Sequence, residues 1–558
     1  MALATPLSQS RPTLPRSVLV FAALYLLAWS VLPPLLSTSL ALDVVESLTW
    51  GREWQWGYYK HPPLSPWVLH LFWRAFGEVG PYLLSQLCIA ATLWCVWRAG
   101  LRLMAPERAL IGTVLTMGVV FYTRPALEFN HNVAQMPLWA ALGWCLLAAL
   151  QDGRLRQWLA LGLLAGLGML TKYSVAVVLA CMGLYLVLSP ARRVLRQPGP
   201  WLALAAALAV FAPHLLWLWQ TDWLPMAYAS QRAAADTAQH SARLSAVVFL
   251  GTQALNHLPL ALVTLVAALG ARRALRPATA AAATAGRPTA PLARWRLHTA
   301  WPGYLLALAL GPGLLVALLG LLLGLRLRDM WGAPMWAFSG LLVAASLPAL
   351  WLQPLRPRLL RAMAVWLVLA SVLCGAYLAC GAQWRQRPSR TDWPAAALGA
   401  QAQGAWRTLS HCPLDTVAGD YWLAGMVVVA SPDRPSVLIP EDARFSPWAT
   451  AQRLQAHGAL WVWQQQTPAP APAAPPGPPM PPAPLDQLQD GPDMRWHEGV
   501  WRLAWRHDPA GPPLVVHWRA YVPAACARQA PAQSAASAGP GPLVYAHVAA
   551  PQQITEGR

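Results

Sequence analysis

The chain has 558 residues, of which 56% are hydrophobic and only 11% charged, where a soluble domain carries about 25% charged residues. With a mean hydropathy of +0.38, this composition excludes an ordinary soluble enzyme and marks an integral membrane protein. A formal net charge of +19 would point to nucleic acid in a soluble protein, but most of the basic residues sit in short loops between apolar runs, where they report topology, and no nucleic-acid partner is expected.

A span of about 30 Å of hydrocarbon takes roughly 20 apolar residues. Runs of that kind fall near 17–38, 81–103, 108–125, 132–150, 157–171, 173–189, 200–219, 244–269, 301–325, 332–352 and 361–381, which makes eleven expected spans. The fifth and sixth are short and separated only by "LTKYS". Arginines collect in alternate connections: Arg11 and Arg16; Arg98, Arg102 and Arg108; Arg154 and Arg156; Arg192, Arg193 and Arg196; Arg272, Arg273, Arg276, Arg294 and Arg296; Arg356, Arg358 and Arg361. The positive-inside rule places these in the cytoplasm together with the N-terminus, and an odd number of spans exports everything after residue 381. The first run is long and lacks a cleavage site, so it reads as a helix rather than a signal peptide.

The first connection, 39–80, is the richest in polar and aromatic chemistry. It opens "ALDVVESLTWGREWQWGYYKHPPL". Trp50, Trp54, Trp56, Tyr58 and Tyr59 suit helices lying at the membrane interface. Asp43 follows the first span directly, near the lipid boundary, where an ionised group is costly and a functional role is the default. It also fits the N-cap of the helix that begins "VVESLTWGREW", with Glu46 completing a capping box. Lys60 and Lys172 are the only lysines of the chain, and both map to the outer face. Compact ammonium groups placed there, in a chain that otherwise uses arginine, suggest a phosphate or carboxylate nearby.

The C-terminal third, 382–558, has a different composition. "LDTVAGDYWLAGMVVVA" reads as a strand entering a helix, "PSVLIP" and "ALWVW" as strands, and "SPWATAQRLQAHG" as a helix capped by its serine. A small extracytoplasmic α/β domain follows, interrupted by the proline-rich stretch 467–485, an extended polyproline-type loop, and trailed by a Pro/Ala/Ser-rich piece near 528–542. Cys88, Cys95, Cys145, Cys181, Cys374 and Cys380 lie in or beside spans and act as small apolar residues. Cys412 and Cys526 both fall in the exported domain and are a candidate disulfide.

An acid at the start of the first loop, an aromatic run and then "YYKHPPL" resemble the family-39 glycosyltransferases of the GT-C type, membrane enzymes related to protein O-mannosyltransferases and to the aminoarabinose transferase that modifies lipid A. "RPALEFNHNVAQMPLWA", "GLLAGLGMLTKYSV", "RLRDMWGAPMW", "GDYWLAG" and "RPSVLIPEDARFSPW" extend the resemblance over nearly the whole chain. It implies transfer of one monosaccharide from a polyprenyl-phosphate carrier to a lipid, glycan or protein acceptor, at the periplasmic face of a bacterial inner membrane. Asp43 then corresponds to the general base, which takes the acceptor proton. Cations must hold the departing phosphate, and Lys60, His61 and Lys172 are the candidates, with Arg232, Arg326 and Arg328 behind them.

Two departures stand out. The related lipid A enzyme has a lysine directly before its two prolines; here His61 holds that place and Lys60 precedes it, which leaves open which of the two meets the phosphate. The loop before 132–150 offers Glu128, then Asn130, His131 and Asn132, where relatives commonly have an aspartate. Glu128 is the candidate second acid, and the amides of Asn130 and Asn132 suit sugar hydroxyls. Some relatives use a divalent ion, and His61, His131, Glu128, His214 and His240 share a face, but no ligand spacing such as HExxH is present and no metal is assigned.

The loop 220–245 has Asp222, Arg232, His240 and Arg243 and reads as a lid over the donor or as a plain connector. The expected fold is an all-α polytopic bundle with the C-terminal α/β domain outside. A transporter or flippase of lipid-linked sugars is the alternative; it would show repeated halves and ionisable groups at mid-membrane, whereas here the polar groups cluster at one face. A scaffold whose role lies in the exported domain finds no nucleophile or metal motif there.

Overall fold

In the computed structural model the described residues are 13–237, 242–284, 297–464, 484–489, 493–506 and 508–528. The chain divides into two units, Met1–Asp392 and Trp393–Arg558. The boundary falls beyond the expected 381 because the last long helix runs on to Arg385 and the segment after it turns back: the Thr391 carbonyl accepts from Thr38 N (3.0 Å) and the Arg390 carbonyl from Ser39 Oγ.

The first unit is helical. Its elements are α1 (Arg16–Leu36), α2 (Leu42–Gly51), α3 (Leu64–Phe76), α4 (Gly80–Leu103), α5 (Pro106–Thr116), α6 (His131–Asp152), α7 (Leu155–Thr171), α8 (Val175–Leu188), α9 (Pro198–Gln220), α10 (Leu224–Thr237), α11 (Ala242–Asn256), α12 (Leu258–Thr284), α13 (Pro302–Ala309), α14 (Gly311–Leu323), α15 (Ser339–Ser346) and α16 (Leu352–Arg385). Among the described residues five helical stretches are long and apolar enough to cross a membrane, and up to nine if each of four bent pairs is one span. These fall at nine of the positions expected from hydropathy. The other two differ: 157–171 is α7, a helix of 17 residues, and 332–352 contains only the 8-residue α15 between short turns. Apolar runs of this number identify a multi-pass membrane protein.

Small residues let these helices approach. A Cβ on Gly340 at the start of α15 would collide with the Gly112 carbonyl of α5. The buried Arg108 of α5 donates to the carbonyls of Ala344 and Leu347, each at 2.7 Å, at the C-terminus of α15. Gly153, at φ 67°, ends α6 in the left-handed conformation that favours glycine.

The second unit carries α17 (Ala395–Leu409), β1 (Thr416–Ala418), α18 (Leu423–Ala430), β2 (Ser436–Leu438), α19 (Ala451–His457), β3 (Ala459–Trp463), α20 (Asp486–Gln489), β4 (Met494–Leu503) and β5 (Leu514–Pro523). The sheet order is β2-β1-β3-β5-β4, with β1 parallel to β2 and β3, and β5 antiparallel to β3 and β4. Trp461, Leu454, Leu485 and Tyr521 pack in one of its cores. Cys412 and Cys526 are disulfide-bonded. The expected serine cap of α19 is not formed. Thr450 Oγ1 accepts from Arg453 N (3.2 Å) instead, and Ser446 Oγ accepts from Ile439 N (3.0 Å), because the chain between them turns before the helix begins. The proline-rich stretch 467–485, save Pro484 and Leu485, and most of the piece near 528–542 lie outside the described residues.

Candidate functional site

The first connection folds inward. Eight of the ten residues of α2 are buried, and α2 packs against α3. Trp50, Tyr58 and Tyr59 are 1%, 2% and 4% exposed, so they are not interfacial anchors; Trp54 and Trp56, at 49% and 46%, are the exposed members of the run. Burial of the three rings has a local cause. Tyr58 and His61 exchange backbone hydrogen bonds (3.0 and 3.2 Å), closing a tight turn that throws Tyr58 flat onto Trp50, with ring centroids 5.3 Å apart and planes at 10°. The Tyr58 hydroxyl donates to the Trp50 carbonyl at 2.7 Å. Gly57 permits this path: a Cβ there would enter the Trp217 ring of α9.

The cap of α2 is Ala41, and no side chain caps the helix. Neither Asp43 nor Glu46 plays the capping role the sequence allows. Asp43 sits one residue into the helix, in the first turn, where free backbone N–H groups and the helix dipole favour a carboxylate. It is half-buried, and among the described residues it makes no hydrogen bond or ion pair. Glu46, one turn on, is buried and accepts from Lys60 Nζ and from the Tyr59 hydroxyl (3.3 Å). Burial pushes its pKa up, and the Lys60 ammonium opposes that push. Lys60 Nζ lies over the rings of Tyr59 and Tyr228, 5.0 and 5.6 Å from their centroids.

His61 lies against His131, the first residue of α6, with ring centroids 3.9 Å apart. Trp50 meets both imidazoles edge-on. Burial holds His61 well below the usual imidazole range, and the charges of His131, Lys172 and Lys60 add to the effect, so His61 is neutral. That leaves the lysines as the cations of this cluster.

Lys172 follows α7 and donates from Nζ to Asn132 Oδ1. A chain of amides holds Asn132 in turn: Gln135 Nε2 donates to it (3.5 Å), and Gln135 Oε1 accepts from Trp139 Nε1 (3.0 Å) and Ser174 Oγ (2.9 Å). Burial lowers the Lys172 pKa to about 8, and the Asp43 carboxylate acts in the opposite sense. Asn130 is the N-cap of α6; its Oδ1 accepts from Asn132 N and Val133 N at 2.9 and 3.2 Å. Its oxygen is thereby committed to the helix, which removes half of its capacity for sugar hydroxyls.

Glu128 ends the turn before α6 and lines a pocket of about 340 Å³ together with Arg124, Tyr377, Arg390 and the start of α2. It is exposed there, yet crowded by protein, and burial raises its pKa; the Asp43 charge adds to the rise while Arg124 and Arg390 oppose it. A larger cavity of about 570 Å³ among α1, α4, α5 and α16 is almost wholly apolar. It carries no titratable cluster, whereas Arg124, Glu128 and Arg390 line the smaller one.

The remaining sequence candidates fall elsewhere. Arg326 and Arg328 lie on the extended stretch after α14, which is tied to α11 through Leu327 N to Ser245 Oγ (2.9 Å) and Asp329 Oδ1 to Gln253 and Asn256. Arg232 belongs to α10, its side chain outside the described part, and His240 lies outside the described residues. His214 is bonded at both nitrogens, to the Trp56 carbonyl (2.6 Å) and the Tyr173 hydroxyl (2.9 Å). Among the described residues no three His, Cys, Asp or Glu side chains converge as a metal site would require. Sequence reasoning passed over Arg124, Tyr377, Arg390 and Gln135. Arg124 opens the motif "RPALEFNHNVAQMPLWA" and Gln135 lies within it, which is the available signal.

Residues 60–217 match the family model described as dolichyl-phosphate-mannose-protein mannosyltransferase. The lipid A galacturonosyltransferase RgtD of Rhizobium johnstonii is 27% identical over 194 residues, 33% of this chain and 40% of that protein. The lipopolysaccharide core galacturonosyltransferase RgtB of the same organism is 29% identical over 199 residues, 33% of this chain and 38% of that one. The alignments thus span about two fifths of these relatives. In fold, the chain is similar to the crystal structure of ArnT from Cupriavidus metallidurans bound to undecaprenyl phosphate, with 16% identity, 80% of this chain, 92% of that one and a TM-score of 0.53. The apo state of ArnT gives 16%, 92%, 99% and 0.53. These matches bear out the resemblance to GT-C-type membrane glycosyltransferases; the family match covers Lys60, His61, Glu128, Asn132 and Lys172, and Asp43 lies just before it.

Proposed function

We propose that this chain is a membrane glycosyltransferase that moves a monosaccharide from a polyprenyl-phosphate carrier to a hydroxyl of a lipid, glycan or protein acceptor at the periplasmic face of the inner membrane. Asp43 is the general base. The acceptor oxygen attacks the anomeric carbon, the bond from that carbon to the carrier phosphate breaks, the electron pair leaves on the phosphate, and the proton passes to Asp43. Lys172 faces the departing phosphate and stabilises the charge that develops there. Lys60 is set behind it, because its ammonium already compensates the buried Glu46.

One observation carries the reading. An Asp43 carboxylate with no hydrogen-bonded partner among the described residues shares its field with an ammonium, Lys172, that an amide chain holds in place. The C-terminal unit, exported with its disulfide, selects acceptors.

The reading is tested with purified full-length protein in liposomes, radiolabelled polyprenyl-phosphate sugars and membrane-extracted acceptors. Label appearing on an acceptor, with inversion at the anomeric carbon as a single displacement requires, supports it. Movement of labelled carrier between leaflets without transfer would replace it with the flippase alternative.

A further inference from the structure

The pocket that Glu128 lines is not needed for the donor phosphate, which the proposed mechanism gives to Lys172. Its walls come from five parts of the first unit: the end of α1 with Ser37, the start of α2 at Ala41 and Leu42, Tyr82 of α4, the turn from Arg124 to Glu128, and α16 with the segment behind it, through Tyr377 and Arg390. Two guanidiniums and one carboxylate face it. The centre of the Arg124 guanidinium is 4.7 Å from the Tyr377 ring centroid, and Arg385 packs on the same ring at 4.7 Å. A guanidinium lying over a ring keeps N–H donors for a planar, two-oxygen partner.

Arg124 and Glu128 share the pocket and feel each other's charge, yet among the described residues neither makes a hydrogen bond or an ion pair. The cavity holds them apart. Had the pair served stability alone, it would close, as Arg385 and Asp392 do at 3.2 Å. Asp43 adjoins the Leu42 wall, and its charge acts on Glu128 as well as on Lys172. The carboxylate that takes the proton therefore links the ammonium cluster to this pocket.

We propose that the pocket is an acceptor subsite for a sugar headgroup bearing an anionic group, phosphate or carboxylate. Arg124 and Arg390 grip the anion, Glu128 accepts from a hydroxyl of the same sugar, and the neighbouring hydroxyl is turned towards Asp43. This inference rests on the transferase reading for the direction of the hydroxyl, but not for the binding itself.

The test is equilibrium binding to the detergent-solubilised full chain, read without turnover. The probes are a phosphorylated diglucosamine lipid, the same lipid after phosphatase, a uronate-bearing glycolipid and polyprenyl phosphate. Wild type should bind at least one anionic lipid about tenfold or more tighter than the neutral one, as two charge-assisted contacts require, and the arm that wins assigns phosphate or carboxylate. Arg124→Gln with Arg390→Gln should abolish that preference and leave polyprenyl phosphate binding unchanged; the single Arg390→Gln, read by the same ratio, serves if the double variant does not fold. Equal affinity of wild type for charged and neutral lipids overturns the proposal. So does a loss that falls on polyprenyl phosphate, which would assign the pocket to the donor. A wild type that prefers the anionic lipid but transfers no sugar keeps the subsite and sinks the transferase reading instead.

Discussion

The acids of the C-terminal unit and those around α2 and α6 are used in different ways. In the C-terminal unit Asp415 takes two nitrogens of Arg453 at 2.8 and 3.0 Å, Asp433 takes Arg407, and Asp442 takes Arg444. Each acid is saturated by a guanidinium and serves the fold. Around α2 and α6 the pattern splits: Glu46 is saturated by Lys60, whereas Asp43 and Glu128 have no hydrogen-bonded partner among the described residues although three cationic side chains, Lys172, Arg124 and Arg390, act on them. Two acids left without a hydrogen-bonded partner beside these cations mark the place where a ligand completes the set.

The strongest way to break this contrast is at the saturated pair. Lys60→Met leaves Glu46 buried without its ammonium, which by the usual behaviour of half-removed buried pairs costs about 3–5 kcal/mol; adding Glu46→Leu should recover much of it. Thermal unfolding of both variants in detergent measures the difference, and a single variant as stable as wild type would show that the pair contributes nothing to the fold.

Next in size is Lys172. Lys172→Met should lower kcat by about 10²–10³-fold, the cost of one electrostatic stabiliser of developing charge, with unfolding unchanged. Because burial sets the Lys172 pKa to about 8, the protonated form is lost as pH rises through that value, and turnover should fall on the alkaline side near pH 8. In Lys172→Arg this limb moves up, out of the accessible range. A wild-type profile flat through pH 9 would remove Lys172 from phosphate stabilisation.

The smallest effect belongs to the exposed pairs. Arg444→Ala, at a pair whose arginine side chain is 60% exposed, should change stability by less than about 1 kcal/mol and leave transfer untouched. A larger loss would mean that this salt bridge has a role beyond the local turn it closes.

Much of this contrast was visible in the sequence, for physical reasons. Helices such as α1, α6 and α9 announce themselves because a run must be apolar all along to cross lipid. The region 332–352 is equally apolar but breaks into turns around α15, since hydropathy reports burial and not helix continuity. Lys60 and Lys172 stood out as the only lysines, and the fold brings both to the α2–α6 cluster. What composition cannot tell is that Lys60 is spent on Glu46 while Lys172 is not, because that depends on a turn at Tyr58–His61 and on the amide chain through Asn132. The aromatic run read as an anchor for the same reason: Trp50 and Tyr58 look identical in sequence to interfacial rings until Gly57 lets the loop fold under α9. Arg124 and Arg390 are far apart along the chain, and only the return of the segment after α16 to the start of α2 places them on one pocket.

In the proposed mechanism Asp43 takes the proton. Asp43→Asn keeps the size of the side chain and removes the base, so the decisive measurement is single-turnover sugar transfer beside equilibrium binding of polyprenyl phosphate, on wild type and this variant in the same liposomes. Transfer should fall by about 10²–10⁴-fold with carrier binding retained. Transfer at the wild-type rate would contradict it and move the base to Glu128.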